Sequence, residues 1–265
     1  MSSSSVPAPL AGRVALITGA SQGVGRAIAL AYAAQGAELV LAARNVVALE
    51  EVAAKVTALG AKAHSIPCDV TDSTQVEALA HQARERTGGV SILVNNAGIA
   101  GSHRLIGHPD ELWDRMIAVN LTAVFRTTRA IVPQMIEQGW GRVIMIASIA
   151  SRIGPRYMLA YSASKHGVLG LTRALANELS SSGITVNAIC PGYVDTPMVD
   201  SAVANIVQRT GRSSDEARAT LTSMNPQGRL IAPEEVAAVA VMLASDAARG
   251  INGQGINIDG GAVMT

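Results

Sequence analysis

The chain of 265 residues has little with which to bind a metal, cross a membrane or grip a polyanion. It holds two cysteines, Cys68 and Cys190, each beside an expected buried strand; such thiols read as reduced, the state of a cytoplasmic protein. No cluster of Cys, His and carboxylates has metal-ligand spacing, so no metal is expected. The formal net charge is +1, with basic and acidic residues scattered, which leaves no electrostatic footprint for nucleic acid. No apolar run reaches the roughly 18 residues of a spanning helix, and the first nine residues lack the basic start and apolar middle of a secretory signal. Aromatics are scarce as well, at two Trp, four Tyr and one Phe. The core must therefore be filled by Ala, Val, Leu and Ile, which suits buried parallel strands under closely packed helices.

What is present is a rhythm. Strand-like runs fall at Val14 to Thr18, Glu38 to Ala42, Ala63 to Cys68, Ile92 to Asn95, Arg142 to Ala147, Thr185 to Ile189 and Gly255 to Ile258. Helix-period segments lie between them, at roughly Gly25 to Gln35, Val46 to Leu59, Ser73 to Arg86, Pro109 to Gln138, Tyr161 to Leu179 and Pro233 to Leu243. This alternation predicts an α/β fold: a single-domain, Rossmann-like, doubly wound parallel sheet of seven strands with helices on both faces. The length allows one core, so residues 12–265 are expected as one domain behind a flexible tail, 1–11, that includes Ser2 to Ser5, Pro7 and Pro9. Asp72 or Thr71 caps the third helix, and Pro233 followed by Glu234 and Glu235 opens the last. Between Pro191 and Arg229 the strand signals cease. Ligands of doubly wound domains lie beyond the carboxyl ends of the strands, so about 193–228 reads as a substrate lid, or more plainly as a surface excursion over an edge.

Directly after the first strand comes Thr18-Gly19-Ala20-Ser21-Gln22-Gly23-Val24-Gly25. Missing side chains there let backbone N–H groups at a helix's positive end approach a pyrophosphate. The spacing differs from Gly-x-Gly-x-x-Gly, and the position after a strand carries more weight than the motif. The second strand ends in Leu41-Ala42-Ala43-Arg44, without the acidic residue that would bond both hydroxyls of an adenosine ribose. Arg44 offers a guanidinium suited to a 2′-phosphate, so NADP(H) is the preferred cofactor, with NAD(H) and a merely solvated arginine left open.

Tyr161 and Lys165 stand four residues apart, one helical turn, thirteen positions after Ser148. A free phenol has a pKa of about 10, and a cation within roughly 4 to 6 Å lowers it by about 1 to 3 units. Lys165 is therefore expected to make Tyr161 more acidic and fit it to exchange a proton with a carbonyl or carbinol. An isolated Tyr-x-x-x-Lys is more often a solvated pair; here its neighbours raise it.

Taken in order, Thr18-Gly19-x-x-x-Gly23-x-Gly25, Asp69-Val70, Asn95-Asn96-Ala97-Gly98, Asn120, Ser148 with Tyr161-x-x-x-Lys165, and Pro191-Gly192 followed by Thr196 resemble the short-chain dehydrogenase/reductase family from about Gly12 to Gly261. The resemblance implies a catalytic set of Asn120, Ser148, Tyr161 and Lys165. Ser148 would polarise the substrate oxygen and Tyr161 would be the acid or base. Lys165 would tune the phenol and hold the nicotinamide ribose, and Asn120 would bind a water linking the lysine to solvent. It implies a cofactor cradle of Gly19, Ser21, Gln22, Gly23, Val24, Gly25, Arg44, Ala97 and Gly98, with Asp69 and Val70 at the adenine and Asn96 near the adenosine ribose. Thr196 would contact the carboxamide, and Pro191, Gly192, Val194, Tyr161 and Lys165 would complete the cofactor contacts. For Asn95 to Gly98 a role in holding the central strand is equally open. The family's habit also implies a homotetramer, or a homodimer, with contacts at Leu171 to Leu179 and the last strand.

The segments Val194-Asp195-Thr196-Pro197-Met198 and Ala42-Ala43-Arg44 look like those of 3-oxoacyl thioester and polyketide ketoreductases. The expected reaction is thus NADPH-dependent reduction of a 3-oxoacyl thioester or related ketone. The alternatives are an NAD-dependent dehydrogenase of a small secondary alcohol or hydroxy compound, and a non-catalytic NADP(H)-binding regulator. Arg209, Arg212 and Arg218 of the lid, with His103 and Arg104, are candidates to receive a phosphorylated carrier, or else keep the lid solvated.

Overall fold

The computed structural model describes residues 8–264 of the chain; most of the expected tail, residues 1–7, lies outside them. Seven strands form one parallel sheet: β1 (Val14–Thr18), β2 (Glu38–Ala43), β3 (Ala63–Pro67), β4 (Ile92–Asn95), β5 (Gly141–Ile146), β6 (Ile184–Pro191) and β7 (Gly255–Ile258). Their spatial order is β3-β2-β1-β4-β5-β6-β7. The chain winds outward from β1 in one direction and from β4 in the other, so a crevice opens at the carboxyl ends of these two strands.

Alternation along the strands explains how helices cover both faces. Ala15, Ile17, Leu39, Leu41, Ile92, Val94, Ile144 and Ile189 point to one side, where they meet Ile28 and Tyr32 of α1 (Gly23–Ala34), Leu49 and Val52 of α2 (Val46–Ala58) and Val236 and Leu243 of α9 (Pro233–Ala244). Leu16, Val40, Leu93, Val143, Met145 and Val186 point to the other. There they meet Leu79 of α3 (Ser73–Thr87), Ile131 and Met135 of α5 (Ala123–Gln138) and Val168 and Leu169 of α6 (Leu159–Glu178). Tyr32 is fully buried among aliphatic neighbours and donates its hydroxyl to Ala240 O at 3.0 Å, tying α1 to α9. Cys68 and Cys190 are both buried free thiols.

Three expected boundaries change. The helix expected from Pro109 to Gln138 is interrupted: α4 (Asp110–Ile117) runs into a π-turn at Ala118–Thr122 before α5 resumes. The apolar period continues across the extra residue and so conceals it. The strand expected from Thr185 to Ile189 extends to Ile184–Pro191, with Pro191, which has no N–H to donate, in register with Ile258 at its last position. The stretch without strand signals is helical, with α7 (Pro197–Thr210) and α8 (Ser214–Thr222) packed through Val199, Val203, Ala217 and Leu221. Of the two candidate caps of α3, Asp72 is the one used: its side chain accepts from Thr74 N and Gln75 N.

At the opposite end of the sheet from the crevice, Arg142 is buried with 3% of its surface exposed. It stacks over Trp140, its guanidinium carbon 4.2 Å from the ring centroid, and Arg13 stacks on the same indole at 3.5 Å. Asp246 joins the group, accepting from Arg142 Nη2 at 3.1 Å and from Trp140 Nε1 at 3.0 Å. Removing this carboxylate leaves a buried cation with only ring faces and carbonyls around it. Asp246→Ala should lower the unfolding free energy by about 1 to 2 kcal/mol, discounted for the exposed aspartate. A urea titration measures it, and an unchanged midpoint would show the cluster to be energetically idle.

Candidate active site

The crevice is built around Thr18. Its hydroxyl donates to Val94 O at 3.3 Å and accepts the backbone N–H groups of Asn96 at 3.0 Å and Ala97 at 3.1 Å, so β1 and the chain leaving β4 are joined at their carboxyl ends. Asn96 returns the link, its Nδ2 donating to Thr18 O at 2.9 Å and Gly19 O at 3.1 Å. Gly19 and Gly23 have φ of 65° and 54°, a left-handed backbone that glycine adopts without cost. A side chain on Gly19 would put its Cβ 2.9 Å from Ala97 Cα, one on Gly25 would collide with Asn96 Nδ2 and Gly19 O, and one on Gly23 would press on Thr196 at 3.2 Å.

Helix α1 starts at this turn with Gln22 as an N-cap that makes no side-chain bond and with no acidic residue in its first turn. Its positive end is left open to an anion, and the turn is a cradle that any Cβ would fill. The residues present therefore fit a dinucleotide pyrophosphate. Arg44 and Asp69 flank the crevice at the ends of β2 and β3, with Arg44 Nη1 3.8 Å from Asp69 Oδ2 and the arginine side chain largely exposed. Asp69 is held below the usual carboxylate range by the Thr71 N–H and hydroxyl, with Arg44 adding to the effect. Val70 lies half-buried beside it.

Ser148 follows β5 and caps a short 3₁₀ turn, its hydroxyl accepting from Ala150 N at 3.1 Å; Ser151 bonds back to the Ser148 carbonyl. Tyr161 and Lys165 lie on the inner side of α6. The Ser148 hydroxyl lies close enough to the Tyr161 phenol to favour its phenolate, and Lys165 Nζ is 5.8 Å from the Tyr161 ring centroid. Lys165 is 5% exposed, and its Nζ donates to Ile146 O at 2.8 Å. Asn120, fully buried in the π-turn, accepts from Ile99 N and donates to Ile99 O, both at 2.9 Å. A Cβ on Gly98 would stand 3.3 Å from Asn120 Oδ1 and 3.8 Å from Lys165 Nζ, so the loop after β4 faces both. On the far side, Gly192 N bonds Ile258 O, Val194 is buried, and Thr196 caps α7 against Gly23. The predicted residues Gly19 to Gly25, Asn96 to Gly98, Asn120, Ser148, Tyr161, Lys165 and Pro191 to Thr196 thus meet around one crevice.

The expected electrostatics need correction. Burial raises the Tyr161 phenol above its ordinary value, outweighing the Ser148 hydrogen bond that favours the phenolate. Lys165 does not reverse this, because burial acts on it too and pushes its ammonium down to about 8. Asn96 and Asn95 brace the strand ends, one of the two roles left open for them: the Asn96 side chain donates to Thr18 O and Gly19 O, and Asn95 donates to Thr128 Oγ1 at 3.0 Å. The lid arginines are likewise committed. Arg218 pairs with Asp195 and Asp200, Arg212 donates to Thr220 Oγ1, and Arg209 reaches Ser102 O at 3.3 Å. Two residues escaped the sequence reading: Tyr193, close enough to Tyr161 to raise its pKa further, and Ser164, which bonds Asn120. Ser164 was in view inside Tyr161-x-x-x-Lys165, but a one-dimensional motif does not show which polar groups a helix turns inward.

Fold and crevice define the class: a doubly wound protein with a dinucleotide cradle at its topological switch point. The comparisons agree. A family model described as short chain dehydrogenase matches residues 13–206, and the chain belongs to that family. It is 43% identical over 254 residues to a monensin polyketide synthase putative ketoacyl reductase of Streptomyces virginiae, covering 94% of this chain and 96% of the relative. It is 38% identical over 255 residues to a D-beta-hydroxybutyrate dehydrogenase of Cupriavidus necator, covering 96% and 99% respectively. A crystal structure of a variant actinorhodin polyketide ketoreductase with NADPH superposes with a TM-score of 0.91 at 39% identity, covering 94% of this chain and 97% of that one. The protein is an NAD(P)-dependent oxidoreductase of the short-chain type.

Lys165 supplies a pH test. Unfolded, it holds its proton up to about pH 10.5, whereas folded it releases it near 8. Between those values the unfolded chain binds the extra proton, so stability rises with pH across the window. In cofactor-free protein, the wild type should gain stability relative to Lys165→Met from pH 8 to 10.5 in thermal melts; a constant difference would show that Lys165 titrates normally.

Proposed function

We propose that the protein reduces a ketone to a secondary alcohol with NADPH, and that its substrate is a 3-oxoacyl thioester or a related ketone. The observation that carries this reading is the meeting of Ser148, Tyr161, Lys165 and Asn120 beside a glycine turn that fits a dinucleotide. The pyrophosphate would be held by the backbone from Gly19 through Ser21, Gln22, Gly23, Val24 and Gly25, and the 2′-phosphate by Arg44. Asp69 and Val70 would border the adenine, the chain from Asn96 to Gly98 the ribose, and Pro191, Gly192, Val194 and Thr196 the carboxamide. The reduced nicotinamide, when bound, supplies the hydride.

The chain's own residues manage the oxygen. Ser148 donates a hydrogen bond to the carbonyl, and Tyr161 gives its proton to the same oxygen as negative charge develops there. A phenol kept neutral by burial is the form an acid needs for reduction. The phenolate left behind is stabilised by the ammonium of Lys165. Helices α7 and α8 would form the substrate lid, a reading supported by Asn205 and Arg209 of α7, which bond Ser102 on the loop after β4. The identity to ketoacyl reductases and the NADPH of the structural relative support the substrate class and the cofactor.

A second reading, NAD-linked oxidation of a small hydroxy compound, draws on the similarity to D-beta-hydroxybutyrate dehydrogenase. A panel of acyl thioesters, simple ketones and hydroxy acids assayed with NADPH and NADH by nicotinamide absorbance separates the two. The first reading expects the 3-oxoacyl thioester with NADPH to lead; no thioester turnover beside good oxidation of hydroxy acids overturns it. Tyr161→Phe removes one hydroxyl and should cost roughly 10²-fold or more in kcat, and wild-type turnover would remove Tyr161 as the acid. Arg44→Asp should weaken NADPH binding about tenfold more than NADH binding, the scale of one charge-assisted bond. Equal losses in a fluorescence titration would refute the assignment of Arg44.

A further inference from the structure

Asn120 is fully buried, and its side chain has a complete set of partners. Its oxygen accepts from Ile99 N at 2.9 Å. Of its two amide hydrogens, one goes to Ile99 O at 2.9 Å and the other to Ser164 Oγ at 3.2 Å. Ser164 is also fully buried, and its single hydroxyl hydrogen goes to Tyr161 O at 2.7 Å. A serine that bonds the carbonyl one turn back is common in helices and by itself means little. Here the same hydroxyl takes a bond from a different helix, at the π-turn that breaks the regular winding between α4 and α5. A π-turn is strained and needs outside support, and such turns gather at functional sites.

We propose that Ser164 is a positioning residue, whose hydroxyl locks the Asn120 turn to the segment of α6 carrying Tyr161 and Lys165 and so keeps the proton-handling groups in register. The inference rests on the reading of Tyr161 as the acid. The bonds form one continuous path, from Ile99 on the loop bordering the dinucleotide crevice, through Asn120 and Ser164, to the backbone of Tyr161. Without the hydroxyl, the second amide hydrogen of Asn120 has only the Met116 sulfur at 3.7 Å within reach. The Asn120 turn is then free to shift against α6. Cofactor contacts at Gly19 to Gly25 lie on other elements and should be untouched.

The test compares Ser164→Ala with wild type, and Ser164→Thr with Ser164→Val, two side chains of equal shape that differ in the hydroxyl. NADPH affinity is read by fluorescence, kcat and KM on the best ketone of the panel, and the solvent deuterium isotope effect on kcat. Ser164→Ala should lose about tenfold in kcat, the scale of one buried donor left unpaired, with NADPH affinity and KM within about twofold and a larger solvent isotope effect. Ser164→Thr should exceed Ser164→Val in kcat by a similar factor. Wild-type kcat and isotope effect in the alanine variant would overturn the proposal. So would equal kcat in the threonine and valine variants, whose shared bulk then explains any loss, and this second comparison decides if the alanine variant does not fold. If wild type reduces ketones and Tyr161→Phe is inactive while these variants behave as wild type, only the role of Ser164 fails; if Tyr161→Phe is active, the reading beneath it fails.

Discussion

The structure depends on a polar knot at the point where the sheet reverses its winding. Parallel strands that turn away from each other leave their last backbone groups exposed at a gap, and buried groups without partners cost about 1 to 3 kcal/mol each. Thr18 and Asn96 fill this role between β1 and β4, with five hydrogen bonds from two side chains and one backbone pair. Because the Asn96 amide is fixed against Gly19 O, the glycine turn has one shape, and the open N-terminus of α1 has one direction. The gap that lets a ligand enter is thus made by the same bonds that hold the sheet together.

A second constraint is the dryness of the site. Lys165, Asn120 and Ser164 are all buried, and burial acts on each titratable group against its charge. A simple pair argument gives an acidified tyrosine beside a charged lysine. The folded chain gives a neutral phenol and an ammonium of reduced affinity for its proton, because burial acts on both. For the proton donation proposed for Tyr161 this is the useful state, since a neutral phenol still holds its proton. For stability it is a cost, with Lys165 relying on the single carbonyl of Ile146.

Much of the fold was legible because its signals are local. Short β-branched runs between helix-period segments gave all seven strands, and the bury-both-faces pattern of Val14–Thr18 or Ile92–Asn95 is visible as continuous apolar sequence. The candidate catalytic residues were legible through spacing. What the sequence did not disclose depends on groups far apart along the chain. The π-turn leaves the apolar period intact, so nothing at Ala118–Thr122 marks it; its partner Ser164 lies 44 residues away. Asn96 is indistinguishable as a ligand contact or a brace until Thr18 and Gly19 are brought beside it. The desolvation that governs Tyr161 and Lys165 belongs to the packed interior and has no sequence signature at all.

The lid illustrates how pairing limits inference from composition. Three arginines between 209 and 218 invite the reading of an anion receptor, yet one of them, Arg218, is already bound by two carboxylates and has little left to offer a phosphate. Arg218 reaches both Asp195, on the loop leaving β6, and Asp200, in the first turn of α7, and so fastens α8 to the segment that carries Thr196. Its charge serves the lid's own geometry. Elsewhere in this region Asn205 and Arg209 of α7 meet Ser102 on the loop after β4, so α7 is fastened to that loop as α8 is to the chain leaving β6.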